Sequence, residues 1–230
     1  MDEGRVVPDA RGVFVAAQLR RKLPAASPDA GDPDAGDPDA GWGLDALTGR
    51  LVEVSGTGAT TALTMVAQLL WEAQRRGELA AWVTAQNSIF FPPDLRAGGV
   101  DLSALPVVRV ASASEVARAA ETLLRSGGFA LVVLDLGRQQ SMSLAAQTRL
   151  AGLVRRHDAT LLALTRKQSG RSSLGSLVAV RAECVRQSGE DRQFGCGLRI
   201  LKDKRGGLGE SRQRSAPRYA AQCRGPDGVC

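Results

Sequence analysis

Histidine, aromatic residues and long apolar stretches are all scarce in this sequence of 230 residues. His157 is the only histidine, which excludes most zinc sites, and no metal site is predicted. Aromatic residues make up only 4% of the chain, so a core must be built mainly from leucine, valine and alanine. No apolar run reaches the roughly 18 residues that a membrane helix needs, and no membrane contact is predicted.

Cysteine is scarce as well, with four residues at positions 184, 196, 223 and 230. Four are too few for a disulfide scaffold in a chain of this length. The first residues show no basic-then-apolar segment of the kind that directs secretion. We therefore expect a cytoplasmic protein with reduced cysteines, of which Cys184 and Cys196 lie in the core.

Positive charge is abundant and comes almost entirely from arginine. The net charge is +6, and the 30 basic residues comprise 26 arginines and 4 lysines. Arginine suits bidentate contact with phosphate, which permits an acidic partner such as nucleic acid. A GC-rich genome would produce the same ratio, so only the placement of the charges counts as evidence.

The composition divides the chain into four parts. Residues 1–24 contain an amphipathic helix over 10–23 that stops at Pro24, and residues 25–41 repeat the acidic unit Asp-Pro-Asp-Ala-Gly. That repeat has no large apolar side chain, which indicates an extended tether, with an acidic docking motif as the alternative. Residues 42–205 form the predicted folded domain, and residues 206–230 form a basic, largely disordered tail.

The folded domain alternates strands and helices, which predicts an α/β fold with a mostly parallel sheet. Apolar runs predict strands at Leu51–Ser55, 80–84, 107–110, 129–134 and 160–164, and helical spacing predicts helices between them. Ser112 and Glu115 form a predicted capping box at the start of one helix. Alternating residues over 178–200 then predict an antiparallel hairpin at the C-terminal edge.

One strand leads into a glycine-rich turn and a helix that opens with Thr60 and Thr61, the layout of a phosphate-binding loop. Gly49-Arg50-Leu51-Val52-Glu53 resembles the strand that precedes the Walker A loop in the RecA recombinase superfamily, and Asp45-Ala46-Leu47 resembles its lead-in. The resemblance extends over residues 42–205 and rests on the order and spacing of motifs. It implies a RecA-like core.

The turn itself departs from a working phosphate loop. Gly56 and Gly58 are separated by one intervening residue instead of four, and the position of the phosphate-binding lysine is occupied by Ala59. The hydroxyl position is Thr60. Without the lysine ammonium, nothing at this position stabilises a transferring phosphate, and we expect neither a nucleotide cofactor nor enzymatic activity.

Two further positions bear on catalysis. Gln86 stands where the superfamily places a water-activating glutamate, and an amide cannot accept a proton. Asp135 follows an apolar strand and matches the Walker B carboxylate. A magnesium ligand and a structural carboxylate that fixes a nearby loop are both compatible with Asp135.

Basic residues cluster in three places that could contact DNA phosphates or an acidic partner. Lys167 and Arg171 lie in a glycine-containing stretch at the position of the superfamily's second DNA-binding loop, with a plain solvated loop as the alternative. Lys202 and Lys204 match a basic pair at the end of a strand. Further candidates are in and near the tail: Arg205, Arg212, Arg214 and Arg218.

A short RecA-like core with a degenerate phosphate loop and a basic tail resembles the ImuA family of bacterial SOS mutagenesis cassettes. That resemblance implies a non-catalytic adaptor in translesion synthesis that contacts RecA and the polymerase homologue ImuB, with single-stranded DNA as a further candidate partner. The alternatives are a divergent RecA-like ATPase that uses Thr60, Thr61 and Asp135, a SulA-type inhibitor of cell division, and a plain DNA-binding module. Self-association is left open.

Overall fold

The computed structural model describes residues 42–57, 61–85, 89–137, 142–188 and 194–208. Within these ranges, no helix combines the length and apolar character required to cross a bilayer. The predicted N-terminal helix and acidic tether lie outside the described residues, as do Cys223, Cys230 and most of the basic tail.

A seven-stranded sheet forms the centre of the described chain. Its strands, in chain order, are β1 Leu51–Ser55, β2 Leu79–Thr84, β3 Val107–Arg109, β4 Phe129–Asp135, β5 Thr160–Thr165, β6 Val180–Ser188 and β7 Phe194–Asp203. They are arranged in the order β3-β2-β4-β5-β1-β6-β7. Every neighbouring pair is parallel except β6 and β7, which form an antiparallel hairpin.

The described ranges contain five α-helices, of which the first precedes β1 and the other four lie between strands. They are α1 Leu44–Leu47, α2 Ala62–Arg75, α3 Pro92–Ala97, α4 Ala113–Arg125 and α5 Leu144–Arg156, with a short 3₁₀ helix at Leu102–Ala104. Glycines with positive φ follow α2 and α4 at Gly77 and Gly127, where the chain must reverse into the next strand.

The central strands are buried on both faces, because helices cover both sides of the sheet. Val52 and Val54 point towards α2 and belong to one apolar cluster. Leu51, on the opposite face, joins Val116 of α4 and Leu150 of α5 in a second cluster. Strands that are apolar throughout are typical of parallel sheets covered in this way.

The predicted α/β fold is confirmed, including the antiparallel hairpin at the C-terminal edge, and it is consistent with a RecA-like core. The folded part extends further than the sequence indicated. Leu208 is buried in the core and donates its backbone N–H to the Asp203 carboxylate (3.2 Å), so the described fold continues past residue 205.

The predicted capping box at α4 takes a different form. Ser112 is the N-cap residue, but its side chain makes no capping hydrogen bond to the first turn. The Glu115 carboxylate reaches back one residue further than expected and accepts the N–H of Ala111 (3.1 Å). The acidic residue of the box therefore helps to fix the start of the helix by its bond to Ala111.

Cys184 of β6 and Cys196 of β7 are both buried and unpaired with each other, as their spacing predicted. Burial, followed by the neighbouring Cys196, raises the pKa of Cys184 from an ordinary value of 9.0 to about 12. Burial also raises the pKa of Cys196. Both thiols are thus kept in the protonated form, which is a poor nucleophile.

We predict that these two thiols resist alkylation in the native protein. In a variant with Cys223→Ser and Cys230→Ser, iodoacetamide at about pH 8 should modify neither cysteine until denaturant is added. Because the folded-state pKa is raised, the stability contributed by the protonated thiol is present below pH 9 and is lost as the pH rises towards 12. Rapid labelling of the native protein, detected by mass spectrometry, would contradict the burial of this pair.

Candidate functional site

The carboxyl ends of β1, β2, β4 and β5 meet at one edge of the sheet, where open α/β folds place their ligand sites. Of the predicted nucleotide-loop residues, Gly56, Thr61 and Asp135 lie in the described chain at this edge. The others fall outside the described residues: Gly58, Ala59, Thr60 and Gln86.

Asp135 is the best-defined polar group at this edge. It is the last residue of β4 and is only 3% exposed. Its Oδ2 accepts the backbone N–H of Ile89 (2.6 Å), and its Oδ1 accepts that of Gly137 (3.3 Å). The carboxylate therefore joins the segment after β2 to the turn after β4, the structural alternative recognised for it in the sequence.

Gly56 and Thr61 are likewise held by the protein's own backbone. Gly56 donates its N–H to the carbonyl of Thr165 at the end of β5 (3.2 Å). Thr61 precedes α2 as its N-cap residue, and its hydroxyl donates to the carbonyl of Val185 in β6 (3.5 Å). The hydroxyl thus faces the hairpin and its two buried cysteines, both of which it contacts.

A second polar cluster lies inside the sheet, around Glu53 in the middle of β1. Glu53 is fully buried. Its Oε1 forms an ion pair with Lys167 and accepts the hydroxyl of Thr165 (3.1 Å). Its Oε2 accepts the Ser173 hydroxyl (3.0 Å) and the Leu174 N–H (2.7 Å). A buried carboxylate is stable only with such partners, because desolvation of the charge is costly.

Sequence reasoning missed the role of Glu53, although the sequence carries a signal for it. A glutamate in the centre of an all-apolar strand requires a buried counter-charge. The sequence does not show where that counter-charge comes from, since Lys167 lies far along the chain. Arg181 of β6 also approaches the cluster, with its Nε 4.0 Å from Oε2 of Glu53.

Lys167 is placed differently from the expectation of a phosphate-contacting surface residue. It is 4% exposed, pairs with Glu53, and donates a further hydrogen bond to the carbonyl of Ser172 (2.8 Å). Its ammonium is committed to the interior because it neutralises the carboxylate there. The exposed cations of this stretch are Arg166 and Arg171.

The stretch 167–177, which we call the charge-locked loop, is fastened to the core along most of its length. Arg181 donates to the carbonyls of Arg171 and Gln168, the latter at 3.2 Å. Leu174 is buried, and its carbonyl accepts the N–H of Met142 (2.9 Å). The sequence predicted a phosphate-contacting stretch or a plain solvated loop, whereas these contacts fix its backbone from Lys167 to Leu174.

Gly175 serves close packing in this loop. A Cβ at this position would lie 1.9 Å from Nε2 of Gln147. That amide is buried and occupied: its Nε2 donates to the carbonyl of Met142 (2.7 Å), and its Oε1 accepts the N–H of Leu177 (2.9 Å). The side chain of Gln147 cannot retreat without losing these bonds.

Arg171 of the charge-locked loop and the cations at and after the end of β7 make up a group of positive charges, which we call the basic surface: Arg171, Lys202, Lys204 and Arg205. Lys204 donates to the carbonyl of Ser176 (2.6 Å), which places the end of β7 against the loop. Partial burial, and then the adjacent Lys204, lower the pKa of Lys202. An anion bound beside Lys202 would offset this repulsion between cations.

The carboxylates around the basic surface form salt bridges with cations that do not belong to that surface. Glu53 pairs with Lys167, Asp203 with Arg50 (3.0 Å), and Glu183 with Arg199. No described carboxylate forms a salt bridge with a cation of the basic surface. Arg205 reaches instead to the carbonyls of Thr48 and Gly49, both at 3.4 Å. The remaining predicted cations, Arg212, Arg214 and Arg218, lie beyond the described range.

Comparison with known proteins gives partial matches to bacterial recombinases. The RecA protein of Chlorobium limicola is 31% identical over 137 residues, which is 60% of this chain and 38% of that protein. The RecA protein of Rubrobacter xylanophilus is 37% identical over 87 residues, 38% of this chain and 25% of its own length. The core of the chain is RecA-like.

The similarity to RecA is confined to part of each protein. The chain spans between 25% and 38% of the length of these two relatives. No family model matches the sequence. In the described part of the RecA-like core, no three histidine, cysteine or acidic side chains are grouped so that they could hold a metal ion.

We predict that alanine is destabilising at one glycine of the charge-locked loop and neutral at another. Gly175→Ala should lower the free energy of unfolding by about 1–3 kcal/mol, because the new methyl group displaces the buried amide of Gln147. Gly170→Ala is the matched control, since a Cβ there meets no atom within 4 Å. It should leave stability within about 0.5 kcal/mol of the parent. Equal urea midpoints for the two variants would contradict the packing around Gly175.

Proposed function

We propose that this chain is a non-catalytic RecA-like adaptor of the SOS response to DNA damage. In this role it binds RecA and an ImuB-type polymerase homologue during translesion synthesis and limits the activity of RecA filaments. The observation that carries the proposal is the state of Asp135, whose two carboxylate oxygens both accept backbone N–H groups of the protein itself.

The engagement of Asp135 bears on catalysis because of what a RecA-like ATPase needs at this edge. A Walker B carboxylate must be available to the magnesium ion that accompanies the nucleotide. Releasing Asp135 for that task would leave the part-buried N–H of Ile89 and the buried N–H of Gly137 without this acceptor, at a cost of about 1–3 kcal/mol for the buried group. Asp135 therefore supports a structural role at the end of β4.

The sequence of the neighbouring turn supports the same proposal. Ala59 stands in place of the lysine whose ammonium contacts the terminal phosphates, and a methyl group supplies no charge there. Gly56 and Thr61, on either side of that turn, are already hydrogen-bonded to β5 and β6. Loss of the lysine and occupation of the remaining polar groups point in the same direction.

A RecA-like core without nucleotide chemistry has a physical route to limiting a filament. It presents a surface that a RecA protomer can bind, but it lacks the nucleotide that is enclosed at the next joint of the polymer. Such a subunit stops growth of the filament into which it is incorporated. The basic surface provides a further contact, with the phosphates of single-stranded DNA.

The proposal predicts that the purified protein does not bind ATP. Isothermal titration with ATP and magnesium should give no binding in the micromolar range, because the lysine is absent and Asp135 is engaged. Asp135→Ala is the informative variant, and it should lower thermal stability without altering the calorimetric trace. Micromolar binding that disappears in Asp135→Ala would instead support the divergent ATPase.

The adaptor role further predicts which proteins the chain retains. Immobilised protein should capture RecA and an ImuB-type homologue from mixtures of purified proteins. These mixtures also contain the division protein, which is the tubulin-like polymer-forming target of a SulA-type inhibitor. Asp135→Ala, tested below its melting temperature, should capture them equally well because contact needs no nucleotide. Retention of the division protein alone would favour the SulA-type alternative and contradict the adaptor.

A further inference from the structure

The charge-locked loop and the basic surface share one buried centre, the carboxylate of Glu53. Three of its partners come from the loop: the Lys167 ammonium, the Ser173 hydroxyl and the Leu174 N–H. A fourth, Thr165, ends the strand from which the loop departs. A single side chain in β1 thereby fixes both ends of the segment that carries Arg171.

Arg181 extends the same network to the outside of the loop. It approaches Glu53 from β6, and its guanidinium also donates to the carbonyls of Gln168 and Arg171. The Arg171 backbone is thus held by a cation that is itself held near Glu53. The Arg171 side chain is itself exposed, and Arg181 pairs in register with Lys202 of β7, two residues before Lys204.

From this arrangement we infer that Glu53 is a positioning residue for a preformed phosphate-binding surface made by Arg171, Lys202 and Lys204, whose ligand is the backbone of single-stranded DNA. The inference rests on the proposed contact with DNA, but it is independent of RecA and of the polymerase homologue. Because the loop is ordered before binding, little conformational entropy is lost when the phosphates arrive.

The phosphodiester backbone is the ligand class that the surface favours. Its cations lie on two separate segments, the loop and the end of β7, which suits a chain with regularly repeated charges. Arginine contributes a planar bidentate donor and the lysines contribute point charges, the combination that binds phosphate oxygens in nucleic-acid complexes. All three cations are free of salt bridges to described carboxylates.

The decisive variant is Glu53→Gln in the full chain. This change removes a negative charge from a protein that binds a polyanion, so simple electrostatics predicts tighter binding. The positioning role predicts the reverse, because loss of the carboxylate leaves Lys167 and Arg181 buried without their counter-charge and releases the loop. The affinity for a dye-labelled oligothymidine, measured by anisotropy, should fall about fivefold.

The salt dependence of binding separates positioning from simple destabilisation. Each phosphate contact with a single strand adds about 0.7 to the slope of log affinity against log salt. Glu53→Gln should reduce the slope by about that amount, as should Arg171→Gln, since both remove the Arg171 contact. Only Glu53→Gln should also accelerate amide hydrogen exchange at Leu174, because Arg171→Gln leaves the interior intact.

A milder pair of variants keeps the inference testable if Glu53→Gln does not fold. Ser173→Ala removes one hydrogen bond to Glu53, whereas the hydroxyl of the adjacent Ser172 bonds to no described residue. Ser173→Ala should accelerate exchange at Leu174 and weaken binding, and Ser172→Ala should do neither.

Four results would overturn the inference. They are tighter binding by Glu53→Gln, unchanged binding despite faster exchange at Leu174, retention of an acidic peptide such as polyaspartate in place of the oligothymidine, and absence of oligothymidine binding by the parent chain. None of these affects capture of RecA, so failure here is distinguishable from failure of the adaptor proposal.

Discussion

A buried carboxylate in the middle of a parallel sheet dictates how the C-terminal half of this protein is arranged. Glu53 lies between β5 and β6 and has no access to solvent. Its charge is compatible with folding only because a lysine, two hydroxyls and a backbone N–H are supplied by the last residue of β5 and by the loop that follows it. The path of the chain between β5 and β6 is a consequence of that requirement.

The same logic applies at the carboxyl edge of the sheet, where an enzyme of this fold class would keep its polar groups available. Asp135 accepts backbone N–H groups from two segments, and Thr61 donates to the hairpin. These side chains therefore stabilise the fold through bonds to the protein's own backbone. The cations at and after the end of β7 differ, because no described carboxylate forms a salt bridge with them.

The sequence was sufficient for the sheet because most buried strands are apolar runs with a clear end, and β1 is interrupted only by Glu53. Leu131 to Leu134 followed by Asp135 is unambiguous, and the alternation around Cys184 and Cys196 correctly separated the hairpin from the parallel strands. The sequence did not identify contacts between residues that are distant in the chain. Nothing local indicates that Ile89 supplies the donor for Asp135.

In the candidate site, too, local signals could be predicted from the sequence and long-range contacts could not. Lys167 was expected at the surface because lysine in a polar, glycine-containing stretch normally is, and only the requirement of Glu53 overrides that preference. Gly175 is required because Gln147, a residue of α5, packs too closely against it to leave room for a Cβ atom. The sequence around Gly175 does not show this contact. Arg171, Lys204 and Arg205 are exposed and Lys202 is half-buried, which is the ordinary outcome for these residue types and needs no distant partner.

Contact without turnover is the central claim, and the release of inorganic phosphate tests it most directly. Purified protein would be incubated with ATP and magnesium, alone and with single-stranded DNA, and assayed for phosphate over many hours. The account predicts a rate no different from that of the Asp135→Ala variant and of buffer. Sustained release that depends on Asp135, with more than one phosphate formed per chain, would contradict it.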